Sequence, residues 1–216
     1  MIVKKFIPQE FAANNYLAYN DSDETAKEAV LFDCAGSNKE IFKFIDENGL
    51  NLKYILITHA HFDHVGGLKE FKEKYPNAKV LMAKADEKLY ENLTLQCDMF
   101  GHRRVESVKI DEFIDDTKEI EFAGGKIKVI STPGHSAGSV CYLTEDNLFA
   151  GDTLFLEEIG RCDLPTGSFK EIEHSIKEKL FKLEDNIKVF TGHGDNTTIG
   201  HEKIHNAYFG INSIYS

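Results

Sequence analysis

Between Thr58 and His64 the chain reads Thr-His-Ala-His-Phe-Asp-His, directly behind the apolar run Lys53-Tyr54-Ile55-Leu56-Ile57. Gly66-Gly67 follow, and Leu68 to Tyr75 then continue at helical spacing. The cluster therefore sits on a loop from a buried strand into a helix. That restricts the fold, because ligand-type side chains stand here at the carboxyl end of a strand, where open sheets place their sites. A lone histidine is most simply a surface residue or a satisfied core group. Three imidazoles and a carboxylate at this spacing are not explained that way. Together they suit a borderline divalent cation such as zinc or iron. The cluster is internal and interleaved with apolar residues, which excludes an affinity tag.

Three later apolar runs end in the same way. Residues 126–130 run into Ser131-Thr132-Pro133-Gly134-His135, 148–150 into Gly151-Asp152-Thr153, and 187–190 into Thr191-Gly192-His193-Gly194-Asp195. Each time a glycine lets the backbone turn or approach closely beside a ligand-type residue. Asp33 ends the earlier run Glu28-Ala29-Val30-Leu31-Phe32. It is read either as support that orients a ligand histidine or as a plain turn former.

Between these ends the pattern predicts strands joined by turns over 1–32, with a hairpin turn in Asp21-Ser22-Asp23-Glu24. Ser37 with Glu40 forms a capping box for a helix that Gly49 ends. One helix is expected over 62–75, a strand at 80–82 and a helix over 83–92. Residues 93–107 show no clean period and read as an insertion or lid. Strands at 119–122 and 126–130 and a hairpin of 140–143 with 148–150 come next. Ser168 with Glu171 caps a helix to about Leu183, and a short helix follows Gly200. Hairpins are too frequent for a doubly wound parallel sheet. The order predicts an α+β fold, two mixed sheets face to face with outer helices, in one domain over 1–216.

Composition narrows the function. A formal net charge of −11 argues against nucleic acid as the partner, since phosphate binding needs a basic footprint. Two divalent cations would offset part of that charge. The remainder reads as solvated acidic surface, as in the run from Asp111 to Asp116. The longest apolar runs are about five residues, short of the ~20 a membrane span needs, so no membrane partner is expected. The amino terminus shows no apolar h-region or cleavage site. The four cysteines, Cys34, Cys97, Cys141 and Cys162, form no C-x-x-C pair, which fits reduced thiols in a cytoplasm. None has the neighbours of a catalytic thiolate.

The motif order His59-x-His61-x-Asp63-His64, His135, Asp152, His193, with Asp33 as an early acidic strand end, resembles the metallo-β-lactamase superfamily of hydrolases over about residues 14–200. The resemblance implies a four-layer αββα sandwich with a dinuclear metal site on its open edge. It implies that His59, His61 and His135 hold one metal, that Asp63, His64 and His193 hold the other, and that Asp152 bridges them. Zinc is the first expectation for both ions, with iron or manganese also suited to an N/O site. A hydroxide between the two ions would be the nucleophile, with Asp63 and Asp152 serving as ligands rather than as a separate base.

Two further stretches narrow the branch. Gly160-Arg161-Cys162-Asp163-Leu164-Pro165-Thr166-Gly167 resembles a loop shared by glyoxalase II-type thioesterases and persulfide dioxygenases. Gly192-His193-Gly194-Asp195-Asn196-Thr197-Thr198-Ile199-Gly200 with Glu202 resembles the glyoxalase II pattern. This similarity implies thioester hydrolysis of the hydroxyacylglutathione hydrolase kind on a small-molecule substrate. The chain lacks the C-terminal helical extension of the family's long forms and so resembles the short form. Arg161 and Asp163 either shape the site mouth or form an internal ion pair, and the ion pair is preferred. Other readings are a mononuclear-iron persulfide dioxygenase, a non-catalytic metal-bound partner of another protein, and a nuclease, against which the acidic charge argues. His102, His174, His201 and His205 are expected on the surface.

Overall fold

The apolar runs of the first half pair into one mixed sheet and those of the second half into another. The structure, a computed structural model, describes residues 1–20, 27–36 and 38–213. It divides into two compact units, Met1–Ile114 with Glu121–Gly125, and Asp115–Ile120 with Lys126–Ser216.

In the first unit β1 (Ile2–Phe6), β2 (Asn15–Tyr19), β3 (Glu28–Phe32), β4 (Asn51–Leu56), β5 (Lys79–Ala83) and β6 (Glu112–Ile114) lie side by side in that order. The first three are antiparallel neighbours and the last four parallel. Parallel strands are covered on both faces and read as continuous apolar runs; β3 and β5 are buried along nearly their whole length. Helix α1 (Lys39–Glu47) turns Ile41 and Ile45 into this core, and Gly49 ends it at a left-handed φ of 61°. Asn38 stands at its N-cap position. Ser37 and the expected turn at Asp21–Glu24 lie outside the described residues.

Three expectations for this unit need correction. The single helix over 62–75 is two, α2 (Phe62–Val65) and α3 (Leu68–Lys74), separated by Gly66-Gly67. The Gly67 N–H donates to the Cys34 carbonyl at 2.7 Å. A Cβ there would overlap the Asn38 amide and the Gly36 carbonyl, so the chain bends where no side chain fits. The stretch from Leu93 is not irregular at its start. After α4 (Glu87–Glu91), α5 (Leu93–Phe100) buries Leu93, Gln96 and Cys97. The acidic run from Asp111 to Asp116 is not only solvated surface, since it contains the edge strand β6.

The second sheet has the order β14 (Thr197–Thr198), β13 (Lys188–Thr191), β10 (Asn147–Gly151), β9 (Val140–Thr144), β8 (Gly125–Ser131), β7 (Glu119–Phe122). β9 is antiparallel to both β8 and β10, and β10 is parallel to β13. Strands β8, β10 and β13 therefore end at the same edge of this sheet. Against it lie α6 (Phe169–His174), capped by the Ser168 hydroxyl as expected, and α7 (Ile199–His205), capped by that of Thr198. A ribbon of β11 (Leu154–Phe155) and β12 (Glu158–Ile159) follows β10. Among the described residues no helix is long and apolar enough to cross a membrane.

Candidate metal centre

In the first unit the neighbouring parallel strands β3 and β4 deliver Asp33 and Thr58 to one edge. The Asp33 N–H donates to the Leu56 carbonyl at 3.0 Å, and Asp33 takes a left-handed φ of 58° there. Both readings of this residue hold: it makes the turn, and its buried carboxylate organises the ligand loop. Oδ1 accepts the Thr58 N–H at 2.8 Å. Oδ2 accepts the Thr58 hydroxyl at 2.8 Å and pairs with His64 Nδ1 at 2.8 Å. The Thr58 hydroxyl spends its only hydrogen on Asp33, so it accepts from His59 Nδ1, 3.0 Å away. One carboxylate thus fixes two imidazoles, His64 directly and His59 through Thr58. Both are held through Nδ1 as the donor, with Nε2 on the far side of the ring.

Two further buried side chains hold the same loop. Asp86 Oδ2 accepts the Ala60 N–H at 2.9 Å. Gln96 accepts the Phe62 N–H at 3.1 Å and donates to the Ala60 carbonyl at 3.1 Å and the Leu89 carbonyl at 2.8 Å. The loop backbone is thereby set before any ligand arrives. His59, His61 and His64 are buried, and the side chain of Asp63 is 25 % exposed. The His59 ring centroid lies 4.8 Å from that of His61 and 4.1 Å from that of His64. Asp63 Oδ2 is 3.9 Å from His64 Nε2. The three imidazoles of this loop therefore lie together.

In the second unit the common edge of β8, β10 and β13 carries His135, Asp152 and His193. The Thr132 and Thr153 hydroxyls meet at 3.0 Å and tie the first two loops together. Gly151 faces Thr191 in register, and the Gly192 N–H donates to the Gly151 carbonyl at 2.7 Å. The Thr191 hydroxyl donates to the carbonyls of His193 and Asp195 at 2.8 and 3.1 Å, which shapes the third loop. Asp152 Oδ2 lies 3.5 Å from His135 Nε2 and 3.5 Å from His193 Nε2. His135 Nδ1 donates to the Arg161 carbonyl at 2.8 Å, so it too is held through Nδ1.

These residues fit a metal. Donors around a tetrahedral ion with bonds of ~2.0–2.1 Å stand about 3.4 Å apart, near the two Asp152–imidazole spacings. In His59, His64 and His135 an oxygen partner engages Nδ1 and leaves Nε2 to ligate, the usual support for a ligating imidazole. Close backbone packing completes the cradle. A Cβ at Gly192 would overlap Asp152 Oδ1, and one at Gly160 would overlap the Asp152 carbonyl oxygen.

The side chains of Arg161 and Asp163 are engaged with each other instead. Arg161 and Asp163 form a bidentate ion pair, 2.7 Å at each contact, and the guanidinium holds the Asp163 carboxyl down to about 2. This supports the structural reading, and the loop's contribution to the centre is the Arg161 backbone carbonyl. Burial pushes the Cys141 thiol up to about 11 and that of Cys34 well above the usual range, which keeps both protonated. His102 is exposed and packs edge-on and tilted against Phe11 and Phe62. Asp86 and Gln96 escape a reading of the sequence because a lone Asp and Gln on helical segments look like solvated polar residues.

The chain matches the family model described as Metallo-beta-lactamase superfamily over residues 10–193. It is 32% identical over 206 residues to the hydroxyacylglutathione hydrolase GloC of Haemophilus influenzae, covering 94% of this chain and 95% of that one. The crystal structure of the BLEG-1 B3 metallo-beta-lactamase superposes with a TM-score of 0.87 at 32% identity, over 96% of this chain and 99% of that one. The structure of TTHA1623 in a di-iron-bound form gives 0.84 at 28% identity, over 96% and 100%. The expected α+β fold of two mixed sheets with helices is the fold these structures share.

Proposed function

This chain belongs to the metallo-beta-lactamase superfamily, and on that premise we propose that it is a dinuclear metal-dependent hydrolase of small-molecule thioesters. His59, His61 and His135 would hold one ion and Asp63, His64 and His193 the other, with Asp152 as a ligand available to both. The observation that carries the metal reading is the engagement of Nδ1 in His59, His64 and His135, which leaves Nε2 as the ligand atom in each. The thioester reading is supported by the near full-length similarity to a hydroxyacylglutathione hydrolase and by the Gly192–Glu202 pattern. Zinc is the ion proposed, with iron or manganese as alternatives; the di-iron relative supports a pair of ions.

When bound, a pair of divalent cations lowers the pKa of a water toward neutrality and polarises the scissile carbonyl. The chain's own residues have narrower tasks. Asp33 and Thr58 keep two imidazoles in the ligating tautomer. The Arg161 carbonyl does the same for His135. A departing thiolate needs little protonation, because an ordinary thiol pKa is ~8.5, so a general acid is dispensable. That suits a centre whose carboxylates are committed to ligation.

A substrate panel tests this. Zinc-loaded protein is expected to cleave S-lactoylglutathione or a simpler acyl thioester without consuming oxygen. It should leave a β-lactam, the substrate class of the BLEG-1 relative, at least tenfold slower. Oxygen uptake with a thiol persulfide and no thioester cleavage would replace this reading with an iron dioxygenase. No turnover of any thioester at full metal loading would replace it with a non-catalytic metal-bound protein.

A further inference from the structure

Helix α7 carries His201 and His205 in the run His201-Glu202-Lys203-Ile204-His205. Residues four apart share one helix face. Here the two imidazole rings lie 4.6 Å apart with planes 31° from parallel. The turn between β11 and β12 brings a carboxylate to the same place, with Glu157 Oε1 2.9 Å from His201 Nε2.

His-Glu-x-x-His on a helix is the spacing of zinc sites in which the glutamate is a general base. Glu202 cannot take that role here, because it is fully buried and turned inward. Its oxygens accept the Glu157 N–H at 3.0 and 3.2 Å, the Thr197 hydroxyl at 2.6 Å and the Asn206 amide at 2.8 Å. It serves instead to fasten the ribbon turn. Glu157 sits there at a left-handed φ of 58°. Its carbonyl accepts the Ala207 N–H at 3.1 Å, and the neighbouring Glu158 carbonyl accepts from the Asn206 amide at 3.1 Å. The backbone that carries Glu157 is thus tied to the helix that carries both histidines.

We propose that Glu157, His201 and His205 form a second metal site, separate from the candidate centre, which takes one borderline divalent cation such as zinc. As a plain surface ion pair the Glu157–His201 contact contributes little, with side chains 57% and 36% exposed. A cation gives the arrangement a fuller use. Two imidazoles in ring contact repel if both are protonated, whereas a metal draws on both lone pairs and on the carboxylate. Neither histidine nor Glu157 is locked in a core, so side-chain rotation can bring a His205 ring nitrogen to the Glu157–His201 pair, with water filling the remaining positions. An N₂O donor set of this kind selects zinc over magnesium or calcium, which favour oxygen. The ion would join the β11–β12 ribbon to α7. The ribbon starts just after Asp152, and its Phe155 ring meets that of His193 edge-on at 6.2 Å.

Equilibrium dialysis of the full chain against zinc, with elemental analysis, tests this. At one free zinc concentration the unsubstituted protein should hold one zinc per chain more than His205→Ala. Glu157→Gln, which keeps side-chain volume, should lose the same ion. Both variants should keep the remaining metal, and zinc should raise their thermal midpoints less than it raises that of the unsubstituted protein. Equal zinc content in all three proteins would overturn the proposal. The outcome is independent of whether any thioester is cleaved, so it stands or falls separately from the proposed activity.

Discussion

Asp152→Ala is expected to lower thioester hydrolysis by about 10³-fold and to leave fewer than two ions in the candidate centre. Its Oδ2 is equidistant from His135 Nε2 and His193 Nε2, 3.5 Å from each. The adjacent hydroxyls of Thr153 and Thr132 lie 3.0 Å apart, with the Cys141 thiol 3.4 Å from Thr132, and being engaged there they supply no substitute. Metal assistance is worth several kcal/mol of transition-state stabilisation, and about 4 kcal/mol corresponds to the stated factor. Stability separates a ligand role from a structural one. Asp152 is packed against Gly192 and the Gly151 turn, so a structural carboxylate would cost the metal-free protein when removed. A ligand carboxylate should not. Thermal unfolding of metal-free Asp152→Ala is therefore expected at or above the unsubstituted midpoint, with a much smaller rise on adding zinc. Full metal content with unchanged hydrolysis would remove Asp152 from the centre.

Asp33→Asn is the second large effect, and it acts without touching a metal. The substitution keeps the shape of the side chain but places an N–H₂ where Oδ2 accepts from Thr58 and pairs with His64. The amide donates to His64 Nδ1 and pushes that proton to Nε2. It also turns the Thr58 hydroxyl, which then donates to His59 Nδ1 with the same result. Two of the three imidazoles on the loop would present a proton where a lone pair is required. Loss of such support costs about 10–100-fold in metal affinity. The metal-free protein should also lose roughly 1.5–3 kcal/mol, the worth of a hydrogen bond to a charged acceptor. Zinc affinity by competition with a chelator, read beside nitrogen NMR of the histidine tautomers, checks both halves. Unchanged tautomers with weakened zinc would mean that Asp33 acts only through the fold of its turn.

Much of this site is legible in the amino-acid sequence. A strand end is a local pattern: His59, His61, Asp63 and His64 follow one, and His135, Asp152 and His193 each stand beside a glycine at another. Asp33 is legible as well, though not its reach to two histidines, because that depends on β3 and β4 being parallel neighbours. What fails is the polarity pattern where tertiary burial inverts it. Helix α5 buries Gln96 while leaving Leu95, Met99 and Phe100 at 57%, 58% and 44% exposure, so no apolar face marks it as a helix. Gln96 is buried because it satisfies the backbone of the ligand loop, a reason that no helix periodicity encodes. Strand β6 hides in an acidic run for a similar cause: its partner β5 supplies the pairing, and its own residues need only one buried side chain, Ile114. The break at Gly66-Gly67 is set by Cys34, Gly36 and Asn38 packed against Gly67, which are distant in sequence.

The most direct test is stepwise reconstitution of the metal-free protein with zinc while cleavage of S-lactoylglutathione or an equivalent thioester is followed under exclusion of oxygen. The rate is expected to rise from baseline to a plateau at two zinc ions per chain, with any further zinc binding leaving it unchanged. A plateau at one ion, or no cleavage at any loading, would contradict a dinuclear thioester hydrolase.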